Sequence, residues 1–252
     1  MTPGLPLAGE AFGGLADVWV YLSASPLLGL SITLLVYHGA FLLYQRSGLH
    51  PLANPVALSV ITLGVLLWVT NTPYATYFEG AQFVHFLLGP ATVALAAPLF
   101  EQMARLKRLW LPMLGALVVG TLSATASAIG VAWALGASKE TIASLAPKSV
   151  TAPVAMGISE QIGGLPTLTA ALVVCTGILG AASARYVFDA LRITDPSARG
   201  FALGTAAHGI GTARAFLVNP ESGAFAGLAM GLCALFSAVA LPLMAGFLLR
   251  WI

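Results

Sequence analysis

The sequence predicts an all-α polytopic membrane protein with about seven membrane elements, two of them discontinuous or re-entrant. Only 8% of its 252 residues are Asp, Glu, Lys or Arg, where a soluble domain carries about 25%. The charges leave uncharged gaps of 28, 32, 30, 24 and 28 residues, after Asp17, Arg46, Arg108, Glu160 and Glu221. A helix needs roughly 20 apolar residues to cross the hydrocarbon core, so each gap is long enough. Runs such as Ile61-Thr-Leu-Gly-Val-Leu-Leu-Trp-Val69 are apolar on every side, which excludes the period-two alternation of a membrane β-barrel.

Taken in order, residues 1–22 are expected to form an amphipathic or loosely ordered lead-in to a single domain spanning 1–252. The sequence predicts helices over 26–44 and 55–69, then a polar aromatic loop over 71–79. A helix over 81–103 follows, with Gly89-Pro90 as an interior weak point, then one over 111–135. The next element, 141–163, is interrupted by Pro147-Lys-Ser-Val-Thr-Ala-Pro153. A helix over 166–188 follows, and then a second irregular element, 198–217, interrupted by His208-Gly-Ile-Gly-Thr-Ala-Arg214. The last helix is expected over 225–249. The 27 glycines and 15 prolines suit membrane helices, where small residues permit close packing and neighbours satisfy broken turns.

Basic residues in short loops mark the cytoplasmic side. Arg46, then Arg105, Lys107 and Arg108, alternate with a loop holding only Glu79, which puts the N-terminus outside. If 141–163 crosses, Arg185, Arg192 and Arg199 land outside, whereas a re-entrant 141–163, which the charge rule favours, delivers them to the cytoplasm. This arrangement assigns eight of the eleven basic residues to cytoplasmic loops or ends and one to the outside, leaving Lys148 and Arg214. Internal repeats are expected, because Ala116-Leu-Val-Val-Gly-Thr121 echoes Ala171-Leu-Val-Val-Cys-Thr176. A second echo links Pro26 and Asn54-Pro55 to Pro166 and Asp195-Pro196. Parallel and inverted arrangements both remain open.

The two interruptions are where chemistry is expected. Proline removes an N–H donor and breaks a helix outside its first turn. Freed backbone groups in the bilayer cost several kcal/mol each unless something meets them. Lys148, Ser149 and Thr151 lie in the first interruption, and the half-helix that follows aims its positive end there, a combination suited to a carboxylate. The alternatives for Lys148 are snorkelling to an interface or a structural pair with Glu160. In the second interruption Gly209 and Gly211 supply conformational freedom, and Thr205, His208, Thr212 and Arg214 supply donors. Arg214 is a bidentate carboxylate ligand, an interface anchor or a partner of Glu221. His208 is a packing residue or a proton-sensitive one, and Glu160 or His208 is the position for proton coupling. His85 is expected to be structural and Glu79 to belong to the outer loop. No nucleophile set, HExxH, nucleotide loop or metal-spaced Cys/His cluster is present, so neither an enzyme nor a cofactor is expected. A charge of +2 leaves no nucleic-acid footprint.

Three stretches resemble the LrgB/CidB family of YohK-like, antiholin-like membrane proteins. They are Glu79-Gly-Ala-Gln-Phe-Val-His-Phe-Leu-Leu-Gly-Pro-Ala-Thr-Val-Ala-Leu-Ala96, Pro147-Lys-Ser-Val-Thr-Ala-Pro-Val-Ala-Met-Gly-Ile-Ser-Glu-Gln-Ile-Gly-Gly164, and Asp195-Pro-Ser-Ala-Arg-Gly-Phe-Ala-Leu-Gly-Thr-Ala-Ala-His-Gly-Ile-Gly-Thr-Ala-Arg214. Gly209 departs from the Ala common in that family. A related domain occurs in the plastidial glycolate/glycerate translocator of plants. The resemblance implies a multi-pass protein of the bacterial cytoplasmic membrane and two rival functions. One is secondary transport of small monocarboxylates (glycolate, glycerate or pyruvate) by alternating access. The other is holin/antiholin-like control of murein hydrolase activity and lysis. It also implies a small LrgA/CidA-type membrane partner. A homodimer is expected from the Gly/Ala-rich helices.

Overall fold

The computed structural model describes residues 26–50 and 53–248, and they are helical wherever they are regular. The expected lead-in and Arg250 lie outside them. The chain divides into two compact units at Val93/Ala94.

In the first unit, α1 (Pro26–Arg46) packs against α2 (Pro55–Val69) and α3 (Tyr74–Phe86). Asn54 caps α2, its side chain accepting from the Val56 and Ala57 N–H groups, and Pro55 occupies the first turn where no donor is needed. Gly29 lets α1 meet α3 closely, since a Cβ there would lie 2.5 Å from the Tyr77 carbonyl. Beside it Thr33 Oγ1 and the Tyr77 hydroxyl are 2.7 Å apart. The loop expected over 71–79 is shorter than that. The helix begins at Tyr74, so Glu79 lies on α3 and not in a loop. The expected 81–103 helix is instead three short pieces, α3, α4 (Leu88–Ala94) and α5 (Ala96–Glu101). The side chain of His85 lies outside the described residues.

The second unit is built on α6 (Met103–Ala134), which starts eight residues before the expected position and carries Arg105, Lys107 and Arg108 in its first turns. After it come α7 (Lys139–Leu145), α8 (Ala152–Gln161), α9 (Pro166–Ala190), α10 (Pro196–Val218) and α11 (Pro220–Leu248). α7 and α8 form a hairpin. Ile142 and Ala146 bury against Ile129 and Ala132 near the end of α6, so α7 runs back along α6. α8 then returns, with Ser159 brought beside Ser144 through the shared Thr169 hydroxyl.

α10 is also a hairpin, although its helical hydrogen bonding is nearly unbroken. A straight 23-residue helix would separate its ends by about 34 Å. Yet the Ser222 hydroxyl, just past the second arm, donates to the Pro196 carbonyl at 2.7 Å. The turn is at Ala207 (φ −127°, ψ 17°) and His208 (φ 41°, ψ −133°). Arg105 at the start of α6 pairs with both Asp195 and Glu221, which flank this hairpin. The two hairpins therefore enter from opposite ends of α6, in an inverted relation.

Among the described residues five stretches are long and apolar enough to cross a membrane: Leu27–Arg46, Tyr74–Glu101, Met103–Ala134, Pro166–Ala190 and Pro220–Met244. This corrects the expected count of about seven. α2 has only 15 residues, about 22 Å of helix against a core of about 30 Å, and each hairpin returns to the end it came from. The count of eight cytoplasmic basic residues required the 198–217 element to cross. It does not, so α11 leads away from the basic end. The molecule is a multi-pass, all-α membrane protein with discontinuous helices.

A candidate site where two hairpins converge

The first break forms where the prolines demand it. α7 ends at Leu145, and the Lys148 and Val150 N–H groups bond to Leu145 and Pro147 in successive turns. α8 restarts at Ala152. Thr151 is its N-cap residue but makes no side-chain cap bond, and Pro153 lacks an N–H, so the α8 N-terminus keeps unsatisfied donors. Pro147 is fully buried, Ser149 and Val150 are buried, and Lys148 is half-buried. The Lys148 ammonium donates to Ser149 Oγ at 3.3 Å. Among the described residues it forms no ion pair, and Glu160 lies exposed near the far end of α8, so the alternative of a structural Lys148–Glu160 pair is not realised.

A hydroxyl network anchors this hairpin. Ser144 Oγ accepts from the Leu165 N–H at 2.7 Å and donates to the Glu140 carbonyl at 2.6 Å. Thr169, fully buried, sits with its hydroxyl 2.7 Å from Ser159 Oγ and 3.0 Å from the Ser144 carbonyl. A buried polar group needs such partners or costs about 1–3 kcal/mol. Gly164 closes the root, since a Cβ there would fall 2.3 Å from Ser159 Oγ.

The second break departs from the expected one. The left-handed φ belongs to His208 and not to a glycine, and residues from Gly209 through Arg214 are helical. Gly211 instead permits the two arms to touch, a Cβ there lying 2.7 Å from both the Ala207 Cβ and the Leu203 carbonyl. The tip is held against α9. His208 donates its Nε2–H to the Val173 carbonyl at 2.9 Å, and Gly177 leaves room for the imidazole, which would lie 2.7 Å from any Cβ. His208 is thus a hydrogen-bonded packing residue in this conformation. Thr205 and Thr212 donate to the Phe201 and His208 carbonyls, so these hydroxyls have no proton left for an anion. Arg214 is half-buried on the returning arm, about 9 Å of helix from the tip. Glu221 is held by Arg105 at 2.7 Å.

Both breaks converge on one turn of α6. Thr125 Oγ1 reaches the Ala146 carbonyl of the first hairpin at 3.4 Å. One turn earlier Thr121 Oγ1 lies 3.6 Å from Cys233 Sγ, which reaches the Thr205 carbonyl of the second at 3.8 Å. Val150, Val173, Phe201 and Phe225 belong to a common buried cluster here. The sequence reading missed Thr121, Thr125 and Thr169. Their only signal was a hydroxyl on an otherwise apolar helix, which does not say what it faces. Among the described residues no group of His, Cys, Asp and Glu could hold a metal ion.

At the root of the second hairpin, Asp195 caps α10, accepting from the Ser197 hydroxyl and the Ala198 N–H. The Ser197 hydroxyl, then the Ala198 N–H and the charge of Arg105, hold its carboxyl below the ordinary carboxylate value.

Comparison with known proteins fits this architecture. No solved structure matches. An uncharacterised protein of Bacillus subtilis, YwbG, is 37% identical over 222 residues, covering 88% of this chain and 98% of that protein. An uncharacterised protein of Haemophilus influenzae is 33% identical over 75% of this chain and 82% of its own length. The antiholin-like protein LrgB of Bacillus mycoides is 31% identical over 224 residues, 89% of this chain and 97% of its own. The model of the LrgB-like family matches residues 33–247, and the chain belongs to that family.

Proposed function

We propose that this chain carries small monocarboxylates of the glycolate, glycerate or pyruvate kind across the bacterial cytoplasmic membrane by alternating access. The observation that carries the reading is the pair of oppositely inserted hairpins meeting at Thr121–Thr125, with the acid-free cation Lys148 at one tip. Inverted repeats with broken helices at the midplane are the usual architecture of a secondary transporter. A cation in the bilayer core costs at least about 2.5 kcal/mol on insertion scales, and an anionic ligand offsets that cost. Lys148, Ser149 and the N–H groups opening α8 bind the carboxylate, with Thr151 at the same break and Arg214 on the facing hairpin. Thr205, His208 and Thr212 join only when the tip moves and frees their donors. His208, or Glu160 at the far end of α8, is the place for proton coupling.

A second reading has its own support. Relatives from Bacillus mycoides and Bacillus cereus are called antiholin-like, so the comparisons lean to lysis control more than to transport. In that reading the chain regulates a pore or a murein hydrolase, together with a small LrgA/CidA-type membrane protein or a second copy of itself. Neither reading involves catalysis.

One experiment separates them. Protein in liposomes should accumulate labelled glycolate, glycerate or pyruvate, and Lys148→Ala should lower that flux at least tenfold while unfolding like the parent. Unchanged flux in the variant removes Lys148 from the site. Passage of large neutral dyes with no saturable carboxylate flux decides for the antiholin-like reading.

A further inference from the structure

A long groove runs between α6 and the outgoing arm of α10, with a volume of about 850 Å³. One wall is Pro112, Ala116, Gly120 and Ala124, one turn apart on α6. The facing wall is Ala198, Ala202 and Ala206. Most of these side chains are exposed, so the groove opens sideways. Its charged groups gather at the basic end, where Arg105, Arg108 and Asp195 rim the mouth with Ser197, and Thr205 is the polar residue further in. Arg105 is already held by Asp195 and Glu221. Arg108 is exposed and forms no ion pair among the described residues.

We infer that this groove holds an acyl chain of an anionic phospholipid, with the lipid phosphate at Arg108. Its dimensions select the occupant. From Arg108 to Ala124 is about 24 Å of helix, a run comparable with an extended acyl chain. An extended hydrocarbon chain fits that length. A two- or three-carbon hydroxy acid is a poor match, because it would fill only a small part of the groove, whose walls beyond the mouth are apolar apart from Thr205. The charge points the same way. The mouth lies at the end with the basic residues, which the charge rule marks as cytoplasmic. Basic pockets between helices on that side suit lipid phosphates, and an arginine fork binds phosphate through paired N–H groups. A chain lodged here lies between the scaffold helix and one arm of the hairpin, so it sets how far the two can close. This inference stands without the transport reading.

The test uses the purified full chain in mild detergent, offered phosphatidylglycerol and phosphatidylcholine with the same acyl chains, and read by native mass spectrometry. The parent should retain phosphatidylglycerol at least tenfold more than phosphatidylcholine. Arg108→Gln should abolish that preference, and Ala116→Leu with Ala202→Leu should remove bound lipid of both kinds. Equal retention of the two lipids by the parent overturns the inference. So does a preference that survives Arg108→Gln, since the headgroup then sits elsewhere. Should the doubly filled variant fail to fold, Ala116→Cys combined with Cys175→Ser, which removes the exposed native thiol, decides. Protection from a thiol reagent by added phosphatidylglycerol supports a lipid, and protection in lipid-free detergent shows that protein fills the groove.

Discussion

The two hairpins solve one problem by different means. Turning a chain back inside a bilayer leaves backbone groups that lipid cannot satisfy. In the α7–α8 hairpin the turn is written into the covalent chain. Pro147 and Pro153 prevent a continuous helix, and Ser144, Ser159 and Thr169 join the arms with side-chain hydrogen bonds. In α10 nothing local forbids a helix at Ala207 and His208. The turn is held from outside, by the Val173 carbonyl, by the space at Gly177, and by α11 lying directly on the outgoing arm. Against α11, a Cβ at Gly200 or Gly204 would lie 2.1 Å from the Ser222 or Ala226 carbonyl. The first hairpin's break is set by its own prolines, with Thr169 of α9 joining its arms, whereas the second hairpin's turn itself depends on its neighbours. A locally fixed turn tolerates changes around it, whereas a turn imposed by packing can move when the packing changes. The second hairpin is therefore the better mobile element.

That contrast can be broken in several places. The largest effect is expected at Gly204→Val, because the obstruction is α11 backbone, which cannot swing aside. A loss of about 3 kcal/mol or more is expected in detergent unfolding, and a near-neutral result would mean that α11 does not hold the hairpin. On the other side, Thr169→Val should cost about 1–2 kcal/mol by stranding Ser159 and nearby carbonyls. It should loosen the α7–α8 root in hydrogen exchange and leave α10 protection unchanged. If α10 loosens equally, the hairpins are not independent.

His208 separates two opposing terms. Its left-handed φ costs about 1–3 kcal/mol, and its buried hydrogen bond returns about 1 kcal/mol. His208→Gly loses the bond but relieves the strain, while His208→Ala loses the bond and keeps most of the strain. The alanine variant should be less stable than the glycine variant by about 1 kcal/mol. Equal stabilities would show that the turn relaxes freely. The smallest effect is expected at Asp195→Asn, which keeps the helix cap and removes the charge. Asp195 titrates below its ordinary 3.8 when folded, so its charge stabilises above that value and ceases to do so as pH falls through the folded value. The stability gap between parent and variant should be constant near neutrality, begin to shrink below about pH 3.8 and vanish only below the lower folded value.

How legible each part was follows from the same contrast. Lys148, Ser149 and Thr151 were found from sequence because two prolines flag the break, and a proline acts on its own turn whatever surrounds it. The second break was located within a few residues but assigned to glycine freedom at Gly209 and Gly211. The structure spends Gly211 on contact between the arms and puts the unusual backbone at His208. The echo between Ala116–Thr121 and Ala171–Thr176 can be placed on the structure. It falls on α6 and α9, the helices that each precede a hairpin, and their N-caps Ser138 and Asp195 open the two hairpins 57 residues apart. The fold class was fully legible, since the scarcity of charge leaves no other solvent for the surface. The number of crossings was not, because apolar composition is the same for a segment that passes through and one that turns back.

By itself the sequence determined a helical membrane protein, the proline-enforced break at 147–153, the basic end and the family. Those depend on transfer free energy and on covalent constraint, which act residue by residue. Only the tertiary structure decided that α10 doubles back, that the hairpins enter from opposite ends, and that they meet at Thr121 and Thr125. Each of these requires surfaces far apart in the chain to coincide, and a contact between distant residues has no local signature.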